Sequence, residues 1–276
     1  MSEVICILKN KNEAMSFLKK FDSNYKHCSN IKTKLKKEEN EKKIQFLIEC
    51  INKYKIYDEN FNVKDFDNIT KTWNEYLYYV RDNNKYYSSQ SKFESTILEE
   101  SIFRMFMHIE KDNIKIGGTK AYSNMYFAPN NFDNFKNDTV FKFNTKEQDF
   151  AIYKKIEVNI DNKKENISIP IIAMECKTYL DKTMLEGSIA TAEKIKNGNP
   201  YCKFYIITES YEVDLNVDIK STRIDQIYIL TKSSKRHTNK YIQKDVLELL
   251  YNDINRYLKS NWYDIEKNIF EKGTIL

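Results

Sequence analysis

The chain has 276 residues, with 45 basic and 40 acidic side chains for a net charge of +5, and is 41% hydrophobic and 14% aromatic. That is enough apolar material for one large or two small domains with a real core, and five glycines with three prolines exclude collagen-like or Gly/Pro-rich architectures. A charge this near balance permits a polyanionic partner through a local basic groove without demanding one, and no apolar stretch reaches the roughly 18 residues of a membrane span.

In chain order, residues 1–85 read as helical. Ile31 to Tyr57 places Leu35, Ile44, Leu47, Ile48 and Ile51 at helical intervals, and Asp65 to Val80 carries a stripe of Trp73, Tyr76, Leu77 and Val80. Both stripes are expected to pack rather than to carry chemistry. The polar stretch Arg81 to Gln90 reads as a loop and a boundary, giving a helical N-terminal region at 1–88 and an α/β core at 89–276. A helix is predicted over Lys92 to Glu110, with Phe93, Ile97, Leu98, Ile102, Phe103, Phe106 and Met107 as its apolar stripe. Gly117-Gly118 is expected to break the chain, and 119–147, rich in Asn, Asp and aromatics, to be irregular.

Next comes a predicted hairpin. Asp149 opens a strand-like run to Ile160, a polar turn follows over Asp161 to Asn166, and the chain returns over Ile167 to Lys177. A helix over Asp181 to Lys196, ended by Gly198-Asn-Pro200, precedes strands at Lys203–Thr208 and Gln226–Thr231, and a final helix covers Lys244 to Lys259. This order implies an α/β fold with a mixed central sheet flanked by helices.

The hairpin carries the chemistry. Side chains two apart on a strand share a face, so Glu175 and Lys177 emerge together while Met174 and Cys176 point the other way. An antiparallel return brings Asp149 close to Glu175. Burying a carboxylate and an ammonium is costly unless each is matched. Two carboxylates can hold Mg2+, a hard ion that prefers oxygen, and the Cys176 carbonyl can add a ligand. With Lys177 to stabilise the attacking water or the phosphorane charge, the set is competent for phosphodiester hydrolysis. The bland alternative is a structural Glu175–Lys177 ion pair at a sheet edge. Glu-x-Lys alone carries little information, since Glu41-Lys-Lys43 matches too. Its place at the end of an apolar strand, after an Asp-led strand, is what makes it informative.

Asp149 … Glu175-Cys-Lys177 resembles the active site of the PD-(D/E)xK nuclease superfamily. The string Ile172-Ala-Met-Glu-Cys-Lys-Thr-Tyr-Leu-Asp-Lys-Thr-Met-Leu185, followed by a helix and a strand ending in Thr208-Glu209, resembles more narrowly the type II restriction endonucleases of the DdeI-like kind. Gln148 stands where the name-giving proline would be. The resemblance covers about residues 90–235 and implies a restriction-endonuclease-like core, a Mg2+ cofactor, double-stranded DNA cut at a short specific site, a homodimer with one centre per strand, and an interrupted palindrome as target. It also implies an acidic residue on the helix before the hairpin. Glu99 is the preferred match, with Glu94 and Glu100 as competitors. A repair or phage-defence nuclease acting on structured or single-stranded nucleic acid, and a catalytically silent DNA-binding module, are the alternatives.

For DNA contacts, the basic stretch after the fourth strand offers Lys232 and Lys235 to phosphates and Arg236 or Asn239 to base edges, against a plain solvated loop. Lys182 can face a phosphate or simply begin a helix. Asn130 to Phe135 is also rich in side chains able to bond bases, while Arg81, Arg104 and Arg223 are too isolated to assign. Five cysteines (Cys6, Cys28, Cys50, Cys176, Cys202), odd in number, without metal-type spacing and without a secretory leader, point to a reducing cytoplasm. The three histidines lie too far apart for structural zinc.

Overall fold

A computed structural model describes residues 7–138, 140–160, 163–234, 241–262 and 265–274. Four helices come first: α1 (Lys11–Leu18), α2 (Lys26–Lys37), α3 (Glu41–Asn60) and α4 (Phe66–Asn83). The predicted helix over Ile31 to Tyr57 is therefore two. The break has a local cause: Glu38 is extended, and the Asn40 side chain accepts hydrogen bonds from the amides of Lys42 and Lys43, starting α3 afresh. α5 (Ser95–Phe106) follows, shorter than expected because its last turn tightens into a 3-10 turn at Met107–Ile109.

The sheet has five strands in sequence order: β1 (Ile114–Phe127), β2 (Phe141–Ile160), β3 (Lys163–Leu180), β4 (Lys203–Tyr211) and β5 (Gln226–Ser233). β1, β2 and β3 run antiparallel, while β3, β4 and β5 run parallel, so the sheet is mixed as expected. The short α6 (Phe132–Asn137) lies between β1 and β2, α7 (Lys182–Gly198) crosses from β3 to β4, and α8 (Lys244–Lys259) follows β5.

Residues 119–127 and 141–147 are not irregular. They form the outer part of a long hairpin, paired from Gly117–Ala151 out to Phe127–Phe141. Its aromatic content, read as loop composition, suits a pleated surface: Tyr122 packs edge-on against Phe143 across the strands. Gly117-Gly118 does not end an element either. The pair sits inside β1 at a bulge, where the register shifts between Gly117 and Thr119.

The sheet is covered on both faces. One face carries Phe150, Ile152, Ile172, Met174, Cys176, Tyr205 and Ile207, which join a single apolar cluster with α1 to α5 and α8. That cluster runs continuously across residue 88. The other face carries Ala173, Phe204 and Ile206, packed under Leu185, Ala192 and Ile195 of α7. β4 is buried along nearly its whole length, and its Phe204–Ile207 half is an apolar run, as suits a parallel strand covered on both faces. Among the described residues no helix is long and apolar enough to cross a membrane.

α7 ends hard against β1. A Cβ on Gly198 would land on the Ser123 carbonyl, inside van der Waals contact. Gly198→Ala is therefore expected to destabilise the protein by about 1–3 kcal/mol, the usual cost of overpacking. The shift in thermal midpoint measures it, and a midpoint equal to the parent would show that α7 can move aside.

Candidate active site

The hairpin β2–β3 positions the centre. Phe150 pairs with Met174, and Asp149 and Glu175 stand one step beyond. Here β2 leaves the ladder. The Cys176 amide, which would otherwise face an empty edge, donates to Asp149 Oδ2 at 2.9 Å. A strand residue's N–H and C=O point to the same side, so the Cys176 carbonyl faces the same gap. Met174 and Cys176 are buried towards α5, while Glu175 and Lys177 are half-buried on the opposite face, as the alternation predicted.

Glu175 is held from two directions. Ser188 Oγ of α7 donates to Glu175 Oε2 at 2.7 Å, and Lys177 Nζ lies 3.2 Å from the same oxygen. Burial alone would lower the affinity of Lys177 for its proton, but the carboxylates of Glu175 and Asp149 more than offset this, and its pKa is raised overall. Both carboxylates thus act on one ammonium, which is charged at any physiological pH.

The three glutamates on or beside α5 differ in their surroundings. Glu94 is 3.6 Å from Arg81 Nε and accepts from Asn84 Nδ2 at 2.9 Å. Glu100 points into the N-terminal helices: its Oε2 accepts from the amides of His27 and Cys28 at 2.9 and 3.0 Å, capping α2, and Tyr54 donates to its Oε1 at 2.5 Å. Glu99 faces the hairpin. Its pKa is raised to about 7, first by burial and then by Asp149, against the opposing pull of Lys92, Lys26 and Lys177.

Glu99 also gives a pH signature to the metal-free protein. The fold prefers the protonated carboxyl, so its contribution to stability is complete below the ordinary value of 4.5 and is lost as pH climbs through about 7. Glu99→Gln should remove that component. The melting temperature of the variant relative to wild type is expected to rise between those two pH values, and a difference that stays flat with pH would contradict the placement.

The donor set suits a hard cation. Among the described residues neither Asp149 Oδ1 nor Glu175 Oε1 accepts a hydrogen bond, so two half-buried carboxylate oxygens are available beside the Cys176 carbonyl. No group of three His, Cys, Asp or Glu side chains among the described residues forms a metal cluster. Two carboxylates with a carbonyl would leave the other positions to water, as Mg2+ commonly accepts.

The remaining predicted residues lie elsewhere. Lys182, exposed at the start of α7, is 3.9 Å from Glu186. Lys232, also exposed, is ion-paired to Asp245. Lys235, Arg236 and Asn239 fall outside the described residues. Several features escaped sequence reading. Ser188 is one, though the small-residue run Gly187-Ser188-Ile-Ala190 on the helix after the Glu-x-Lys strand was a usable sign. Arg81 is another: it bonds Glu209 Oε2 at 2.5 Å, joining α4 to the end of β4. Gln148, in the proline position, is buried and donates to the Glu147 carbonyl at 2.7 Å, and its Oε1 has no partner among the described residues.

Comparison with known proteins bears on the family and the fold. The model of the Bpu10I restriction endonuclease family matches residues 90–241, more than half of the chain. A solved structure described as the native BbvCI A2B2 tetramer at low resolution superposes with a TM-score of 0.68 at 19% identity, covering 86% of this chain and 96% of that one. That likeness concerns the fold. No curated protein matches the chain. The match carries the Bpu10I name, so the narrower DdeI-like resemblance is not what it supports.

Proposed function

The chain belongs to the Bpu10I restriction endonuclease family, and from that premise we propose that it is a Mg2+-dependent type II enzyme that hydrolyses double-stranded DNA at a short specific site. The observation that carries the reading is the bond from the Cys176 amide to Asp149 Oδ2 at 2.9 Å, which ties the middle of β2 to the Glu175–Lys177 end of β3. Asp149, Glu175 and the Cys176 carbonyl would hold the ion. When bound, it would supply positive charge to the phosphate and lower the pKa of water.

The chain's own residues do the rest. Lys177 orients the attacking water and offsets charge growing on the phosphate oxygens. Ser188 keeps Glu175 in place. Glu99, on α5, supplies a third acidic group facing the hairpin. Lys182 and Lys232 are proposed phosphate contacts, each able to exchange a weak exposed ion pair for DNA. Cutting both strands needs two centres, so we take the working form to be a homodimer; the structural neighbour is described as a tetramer.

The test is incubation of the full chain with unmodified plasmid and Mg2+, followed by sequencing of fragment ends. Discrete bands with one common end sequence are expected, lost on adding EDTA. Random degradation, or cleavage of single strands alone, would overturn site-specific restriction.

A further inference from the structure

Lys26 opens α2, far in sequence from the hairpin, yet its ammonium lies beside it. A Cβ on Gly118 would stand 3.2 Å from Lys26 Nζ and 3.4 Å from the Asp149 carbonyl oxygen. The lysine head and the backbone of Asp149 thus border the same space, which exists because residue 118 has no side chain. The charge of Lys26 also reaches Glu99.

Three cations near the core are ion-paired: Lys177 with Glu175, Arg81 with Glu209, and Arg104 with Asp58 at 2.9 Å. Lys26 is half-buried, and among the described residues its ammonium makes no hydrogen bond and no ion pair. A partly desolvated cation without a partner costs free energy. Its position adds to that cost, since a positive charge in the first turn of a helix opposes the macrodipole. Attraction to Glu99 offsets part of this only when that carboxyl is ionised, and an anion entering the site would offset the rest.

We infer that Lys26 is a DNA-phosphate contact of the cleavage centre, supplied by the helical N-terminal region through the gap at Gly118. The inference rests on the DNA-cleaving reading above. Lysine suits the role as a compact charge on a long stem, able to follow a phosphate.

The experiment compares the full-length wild type with Lys26→Met and Lys26→Arg, after thermal melting confirms that each folds. Single-turnover plasmid cleavage with Mg2+ and the salt dependence of DNA binding with Ca2+ in its place are measured. Lys26→Met is expected to slow cleavage about tenfold or more. It should also reduce the slope of log affinity against log salt by about 0.9, the value for one lost phosphate contact. Lys26→Arg should recover most of both. Gly118→Ala, which crowds the ammonium without removing it, should slow the wild type yet add nothing to Lys26→Met. It keeps the question open to test should Lys26→Met fold poorly.

Wild-type cleavage and salt slope in Lys26→Met would overturn the inference, as would an arginine variant as impaired as the methionine one, or additive effects of the Gly118 change. A wild type that leaves plasmid intact would instead overturn the proposed function, with the salt slopes still reporting on Lys26.

Discussion

Lys177→Ala is expected to reduce single-turnover DNA cleavage by about 10²–10³, the loss typical of removing one preorganised electrostatic group from a reaction centre. DNA binding should persist, and the melting temperature should move little. The ammonium is half-buried, and Glu175, once relieved of it, keeps its hydrogen bond from Ser188 Oγ. Lys177→Arg is not a conservative rescue, because a planar fork cannot occupy the place of a compact ammonium 3.2 Å from Glu175 Oε2. Cleavage by Lys177→Ala at the wild-type rate would remove the residue from the mechanism. Loss of folding would leave the ion pair as a structural feature only.

The second large effect concerns Glu100, next to Glu99 on α5, and the readout is reversed. Glu100→Ala should cost about 3–5 kcal/mol of stability, the range for breaking a buried charged network from one side. Its carboxyl satisfies two amides at the start of α2 and the Tyr54 hydroxyl, and Tyr54 accepts in turn from Arg104 Nη1 at 3.0 Å. Burial pushes the Glu100 pKa up, while Tyr54, the Cys28 amide and Arg104 pull it down, leaving it raised overall. Truncation would strand the two amides and weaken the setting of Arg104, whose other mate is Asp58. Urea unfolding gives the measurement. Glu100→Gln, which retains an acceptor, should lose less than Glu100→Ala, and equal losses would show that charge rather than hydrogen bonding is what counts. Glu99→Gln, by contrast, should leave the neutral-pH protein at least as stable as wild type while impairing cleavage.

These two adjacent residues show where sequence reading succeeds and where it stops. The hairpin was legible because period-two alternation places Glu175 and Lys177 on one face and Met174 and Cys176 on the other, whatever the surroundings. The parallel strands and α7 were legible from apolar runs bounded by turn residues. Which of Glu94, Glu99 and Glu100 faces the site was not. α5 is buried on several sides, so neighbouring acids each find a different partner, and those partners lie tens of residues away. Lys26 was invisible for the same reason: one lysine among 45 basic residues, made special only by the gap at Gly118. The outer half of the β1–β2 hairpin was misread because Asn and aromatic residues signal loops by composition, and the cross-strand pairing that turns them into a sheet is non-local.

Glu99 and Glu100 are consecutive on α5, one aimed at the hairpin and the other plugged into the start of α2. The reactive part of this protein is therefore not a cassette that can be cut out at residue 89 and grafted elsewhere. A truncation there would uncover Phe93 and Phe103, which pack on Phe46 and Tyr25 of the N-terminal region. It would also leave an acidic side chain pointing at nothing. Chimaeras between such nucleases would need their seams outside α5, with the opening helices carried along as part of the blade rather than the handle.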